Sequence, residues 1–240
     1  MLMAILTGWI ALIIAIEWRF PEVTAPHDQW ARRARNIALG LTSLIAAPIG
    51  LWLFEHVTGA VSPVISAPLL LQLLALDLWT YAMHRAYHRV PLLWRFHAPH
   101  HLDEHLDVTS AFRFHLGEIL ISGVMRLVPA LLLGIQIETL FLFEAILIAS
   151  AAFHHSNIAL PPQFERVLSW LIVTPSIHWV HHHNIRSDTD SNYAAILSVW
   201  DPIFASQSST KRWLTMPIGT EGARETGFIQ LLIRPFVSLR

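Results

Sequence analysis

Long apolar stretches alternate along this chain with short polar segments rich in histidine. Met1 to Ile16 carries no charge and is closed by Glu17-Trp18-Arg19. It lacks a basic leading region and a small-residue cleavage site, so it predicts a short membrane helix rather than a secretory leader. Arg32-Arg33-Ala34-Arg35 reads as a basic loop, and Ile37 to Phe54 as a second span. Thr58 to Pro63 is an uncharged turn. Val64 to Met83 predicts a third span that runs directly into His84. Ile119 to Ile135 and Thr139 to Phe153 form a fourth and a fifth, broken by Gly134 to Glu138. Each of these is near the lower limit for a crossing, so the pair fits a re-entrant hairpin as well. The tail from Gly219 to Arg240 is amphipathic and is expected along the bilayer surface, with Arg234 and Arg240 near headgroups.

The pattern therefore predicts an all-α, multi-spanning membrane protein of about four to five apolar helices or helical hairpins. A histidine-rich helical cap over 84–118 and 154–215 completes it. There is no repeat or linker, so residues 1–240 read as a single membrane-embedded domain, with N-terminal membrane helices in 1–63 and the amphipathic tail in 219–240.

Composition agrees: 54% of residues are hydrophobic and 14% charged, a membrane composition. A net charge of -1 argues against nucleic acid as a partner. Cysteine is absent, which removes disulfides, iron–sulfur clusters and thiolate metal sites. Charge placement orients the chain. Arg19, Arg32, Arg33 and Arg35, then Arg85, Arg89 and Arg95, then Arg166, Arg186, Lys211 and Arg212 all fall on one side, and the opposite loops have no Lys or Arg. The positive-inside rule places that side, with every histidine cluster, in the cytoplasm and the N-terminus outside. Arg126 is the exception, an intramembrane charge with Glu118 and Glu138 as nearby partners.

The histidines are the candidate chemistry. They read His84-x3-His88, His97-x2-His100-His101 and His178-x2-His181-His182-His183, with His115 and the pair His154-His155 between. Imidazoles at i, i+3 and i+4 project from one helix face. Together they offer more nitrogens than one metal ion uses, which favours two ions. Each triplet has its outer pair on one face and its middle residue at i+3, so each can serve two adjacent metals. Pro91 and Thr174-Pro175 mark breaks after which new helices start. Asp77, Tyr81, His84 and His88 share a face. Asp77 is placed to accept the second ring N–H of a ligand histidine, or else to pair with an arginine or a backbone donor. His183 points off the ligand face, His154 cannot share a face with His155, and His27, His56 and His105 read as exposed or hydrogen-bonded side chains. The ten tryptophans read mainly as an interfacial belt. Imidazole suits iron, zinc, copper and nickel alike, so spacing alone does not name the metal. No nucleophile elbow, H-E-x-x-H, phosphate loop or G-x-G-x-x-G is present.

Over roughly residues 70–206 the chain resembles the fatty acid hydroxylase / sterol desaturase superfamily. The resemblance rests on Asp77-Leu-Trp-Thr-Tyr-Ala-Met-His-Arg-Ala-Tyr-His88, Pro91-Leu-Leu-Trp-Arg-Phe-His-Ala-Pro-His-His101 and Thr109-Ser-Ala-Phe-Arg-Phe-His115. It continues in His155-Ser-Asn157 with Leu160-Pro161, in Thr174-Pro175 before His178, and in Asn192-Tyr193 with Trp200-Asp-Pro-Ile-Phe204. Leu116 stands where the family often has proline, though Glu118 keeps its place, and His154 and His183 are extra. The resemblance implies a histidine-ligated di-iron centre that uses dioxygen to hydroxylate lipid C–H bonds. The implied ligands are His84, His88, His97, His100, His101, His155, His178, His181 and His182, with His115 as a tenth. Asp77, Tyr81, Glu118, Asn157 and Asn192 are implied supporting residues. Further implications are a lipid substrate (acyl chain, sterol or related) and a separate electron donor of ferredoxin, cytochrome b5 or reductase type. A desaturase on the same scaffold remains open, as does a zinc-binding membrane protein or metal transporter.

Overall fold

The computed structural model describes residues 1–237. Its helices run in the order α1 (Leu2–Arg19), α2 (Gln29–Ala60), α3 (Leu69–Arg89), α4 (Pro91–His101), α5 (Leu116–Met125), α6 (Leu127–Leu133) and α7 (Ile137–His155). The short helices α8 (Pro162–Leu168), α9 (Pro175–His181), α10 (Arg186–Thr189), α11 (Trp200–Ile203) and α12 (Phe228–Ile233) follow. Among the described residues there is no β-strand, only isolated bridges. Four rods among the described residues are long and apolar enough to cross a membrane: α1, α2, α5 with α6 as Leu116–Leu133, and α7. The chain is an all-α integral membrane protein.

Three boundaries differ from the sequence expectation, each for a local reason. The basic segment Arg32–Arg35 is not a loop but the first turns of α2. Arginine is a good helix former, and Arg32 is buried against Asp103 at 2.8 Å and against Asp107. At about 1.5 Å per residue, the 32 residues of α2 span about 48 Å, more than the ~30 Å of a hydrocarbon core. Its N-terminal turns therefore stand in the cap. The expected third span becomes α3, which starts at Leu69, not Val64, and is not among these four rods, because Gln72, Asp77, His84 and Arg85 make it more polar. Pro68 keeps Ala67 out of helical conformation, and residues 64–67 run extended along the end of α6. There the amides of Val64, Ile65 and Ala67 donate to Leu131, Leu132 and Leu133 carbonyls at 2.9, 3.1 and 3.0 Å. The fourth rod breaks at Arg126 because Pro129 lacks the N–H that would bond the Met125 carbonyl. Arg126 pairs with Glu144 of α7 at 2.8 Å, not with Glu118 or Glu138.

The rods share a polar end. Glu17, near the end of α1, accepts the amides of Val108 and Asn157 at 2.9 Å each. Asn36 of α2 donates to Asp103 at 2.8 Å. The cap of α4 and α8 to α11 sits on this end. In the membrane half, Phe54, Leu76, Ala130, Ile135, Leu140 and Phe143 form the core, while Leu44, Ile45 and Trp52 of α2 remain exposed as an apolar outer surface.

The tail is docked on the protein. Leu231 of α12 is buried with Leu39 and Leu102, and the Val237 carbonyl accepts Arg95 at 2.9 Å. Ile229, Ile233 and Phe236 stay exposed on its outer side. Arg234 lies in a short 3-10 turn after α12, and Arg240 lies outside the described residues.

Candidate metal centre

Helix ends bring nine of the ten expected ligands into two adjacent groups. His84, His88, His97, His101 and His181 form one, and His100, His155, His178 and His182 the other, with the ligand nitrogens in each group within 4.8 Å of one another. Each helical triplet divides as its spacing requires. His97 and His101 of α4 face the first group and His100 the second, whereas His178 and His182 face the second group and His181 the first.

Hydrogen bonds to the outer ring nitrogens decide what the inner ones can do. A carbonyl can only accept, so a ring Nδ1 facing one must carry the proton. His84 Nδ1 lies 2.8 Å from the Tyr193 carbonyl and His181 Nδ1 2.6 Å from that of Ser191. His100 Nδ1 lies 3.2 Å from the Arg113 carbonyl and His155 Nδ1 2.9 Å from that of Ala151. His97 Nδ1 donates to Glu118 at 2.8 Å. The Nε2 atoms of these rings are then bare lone pairs aimed inward. His84 and His181 bring theirs to 3.1 Å, and His100 and His155 to 3.2 Å. Two lone pairs at that distance repel unless a cation lies between them, and nitrogens that each bond one ion at about 2 Å take up this spacing. His88, His101, His178 and His182 carry buried ring nitrogens without a protein partner. The donor set fits two metal ions. Burial first, and neighbouring imidazoles second, hold the pKa values of His100, His101, His178, His181 and His182 well below the ordinary histidine range, so these rings stay neutral.

His115 does not join either group. Its Nδ1 caps α5 by accepting the Gly117 amide at 2.9 Å, and its Nε2 meets the Leu232 carbonyl at 3.0 Å. It ties the tail to the start of α5, which is the structural reason a histidine stands there. His183 is bound to Asp188 at 2.7 Å, off the ligand face. His154 is buried beside the second group, its ring centroid 4.0 Å from that of His178. His105, expected as an ordinary surface or bonded side chain, is buried, and burial together with Arg32 lowers its pKa to about 4.

Of the supporting residues, only Glu118 touches a ligand ring. Asp77 binds no histidine. Its carboxylate accepts Trp200 Nε1 at 2.7 Å and the Leu197 amide at 3.2 Å. Tyr81 bonds Ser206 at 2.8 Å, and Asp201 accepts the Tyr193 and Ala194 amides at 2.8 and 3.0 Å. Asn192, at φ 51, donates to the Ile177 carbonyl and accepts the Ser208 amide. These bonds buckle the segment 191–206 onto α3 and α9 and so fix the carbonyls of Ser191 and Tyr193 that orient His181 and His84. Asn157 pairs with the backbone of Val23, through Oδ1 at 2.9 Å and Nδ2 at 2.6 Å, behind His155. The sequence reading missed a buried node. Asp103 accepts from Arg32, Asn36 and Ser110, and Arg113 donates to Asn36 and Glu225 while its carbonyl holds His100. Its only sequence signal is a run of charges just after His101.

A cavity of about 550 Å³ opens onto both groups. His84, His97, His100, His155 and His178 line one end, and Ala47, Leu51, Ile119, Leu147 and Ile148 the walls. Leu44 and Phe141, both exposed on the membrane face, flank it. Arg126, Glu144 and Glu118 are the charged residues in an otherwise mainly apolar wall.

The fatty acid hydroxylase family model matches residues 69–206. An ornithine lipid hydroxylase of Rhizobium tropici is 29% identical over 65% of this chain and 46% of its own length. The human alkylglycerol monooxygenase is 31% identical over 61% of this chain and 33% of its own. A cholesterol 25-hydroxylase-like protein of Danio rerio is 28% identical over 56% and 53%. The chain thus spans about half or less of the length of these relatives. No solved structure gives a significant match. The match runs from the start of α3 to the close of the 191–206 segment and takes in all nine clustered histidines, so the chain belongs to the fatty acid hydroxylase family.

Proposed function

We propose that this protein is an oxygen-dependent lipid hydroxylase that binds two iron ions in the nine-histidine centre and draws electrons from a separate donor. One observation carries the reading. Bare Nε2 lone pairs in two adjacent groups open onto an apolar cavity on the membrane side. Family membership supports iron among the metals imidazole accepts, and relatives named as lipid hydroxylases and monooxygenases support lipid oxidation.

Two irons held there would supply the electrons that activate dioxygen for attack on an unactivated C–H bond. The overall balance is R–H + O2 + 2 electrons + 2 protons giving R–OH + H2O. The residues of this chain do the rest. Glu118 and four backbone carbonyls keep the proton on Nδ1 of five histidines, so that Nε2 is always free. Apolar walls exclude water and hold an alkyl chain in place. The exposed flank at Leu44 and Phe141 would admit a lipid sideways from the bilayer. The positive-inside pattern of the sequence supports a cytoplasmic cap.

Lipid extracts from cells making the intact protein should contain a species heavier by one oxygen that is missing from cells making His181→Ala. A species lighter by two hydrogens would make the enzyme a desaturase, and no difference would contradict the assignment.

A further inference from the structure

The two groups of histidines have unequal surroundings. Cavity walls include His84 and His97 of the first group but not His88, His101 or His181. Those three are covered from the other side by two aromatic rings. Trp94, half-buried, has its ring centroid 5.1 Å from that of His88 and 5.4 Å from that of His101. Tyr193 lies 5.3 Å from His88 and 6.1 Å from His181. Outside these rings stand arginines. The exposed Arg186 places its guanidinium 4.7 Å over the Trp94 ring and donates to the His88 carbonyl at 2.8 Å. Arg89, also exposed, donates to the Tyr193 hydroxyl at 3.2 Å, and Arg85 lies 6.0 Å from the Tyr193 ring. Asp190 offsets one of these charges through its pair with Arg186 at 2.8 Å. Exposed Val90, Leu92 and Ile185 adjoin the arginines in sequence.

We propose that Arg85, Arg89 and Arg186 form the docking face for an acidic one-electron carrier protein, and that Trp94 passes its electrons to the five-histidine group. The inference rests on the di-iron reading above. An apolar spot with a net positive rim suits a transient protein partner of the opposite sign. Trp94 is the half-exposed aromatic ring that touches two candidate ligands, which makes it the shortest contact path from this surface to the centre. Electron delivery and substrate then approach from opposite sides. The cavity serves the lipid, and the Trp94 face serves the donor. Each carrier gives one electron and is oxidised once. Two deliveries, with two protons from water, supply the pair that hydroxylation consumes.

The test is stopped-flow reduction of the iron-loaded protein in nanodiscs, with reduced [2Fe–2S] ferredoxin as the probe and dithionite-reduced methyl viologen as the small-molecule control. With ferredoxin, wild-type reduction should slow steeply as salt is raised. Arg85→Glu/Arg89→Glu should bind ferredoxin at least about tenfold more weakly at low salt, the scale of lost charge steering, with iron content and the viologen rate unchanged. Trp94→Leu should lower the limiting rate at saturating ferredoxin without changing its Kd, and Trp94→Phe should restore most of that rate. A salt-independent wild-type rate, or unaltered ferredoxin kinetics in iron-replete variants, would overturn the proposal. So would a charge-reversal effect that depends only on the anionic lipid content of the nanodisc, which would make the face a lipid contact. If the di-iron reading itself fails, neither ferredoxin nor viologen will find reducible iron.

Discussion

His84 of α3 and His181 of α9 bring their Nε2 atoms to 3.1 Å while each gives its only ring proton to a backbone carbonyl, Tyr193 and Ser191 respectively. Ninety-seven positions apart in sequence, they are held as two lone pairs facing one point. Replacing either with alanine should remove iron from the first group and abolish turnover. Replacing His183, which is bound to Asp188, should leave the iron content intact. Iron per chain, measured on purified protein, checks both. An iron-replete His181→Ala or an iron-depleted His183→Ala would mean that the ligand register is wrong.

Among the described residues, Glu118 is the one carboxylate that accepts a candidate ligand's ring proton. Loss of such a partner costs about 10–100-fold in metal affinity. Glu118→Ala should weaken iron retention by that order in a chelator competition, and Glu118→Gln, which keeps an acceptor oxygen, should weaken it less. Equal retention by all three proteins would remove Glu118 from this role.

Most of the architecture was legible in the sequence, because two simple periodicities carry it. Apolar runs gave four rods of crossing length but counted the more polar α3 as a fifth, and i, i+3, i+4 spacing gave the division of His97, His100 and His101 between two groups. What escaped depends on contacts between distant segments. Asp77 shares a face with His84, yet the segment closed by Trp200 reaches it first, and no local pattern reports that. His115 matches the family motif, but its ring is taken up by the Gly117 amide and a tail carbonyl more than a hundred residues away. Arg32 looks like a loop charge until Asp103 and Asp107 are seen buried around it.

Acid should destabilise the metal-free protein in a defined window. Burial lowers the folded pKa values of His100, His101, His178, His181 and His182 from the ordinary 6.5. Below about pH 6.5 the unfolded chain takes up protons that the folded chain refuses, so stability falls with falling pH. Each such histidine adds about 1.4 kcal/mol per pH unit to that slope. Thermal unfolding of chelator-treated protein in detergent should show a Tm that is flat above pH 7 and declines below about 6.5. A Tm that stays constant or rises on acidification would contradict the buried, neutral state of these rings.

Arg126 and Glu144 form an ion pair at the break between α5 and α6, in the wall of the cavity. Removing one partner strands a charge in an apolar setting, whereas removing both does not. Arg126→Met and Glu144→Met should each lower thermal stability, and the double variant should lose less than the sum of the two, by a coupling of about 0.5–3 kcal/mol. Additive effects would show that the two charges act independently.

Mössbauer spectroscopy of the anaerobically purified, iron-57-loaded protein reads the metal centre itself. A di-iron centre gives two non-haem irons per chain, coupled to one another when oxidised, and loses that signal in His97→Ala and His182→Ala. A single uncoupled iron, or active protein that holds only zinc, would contradict it.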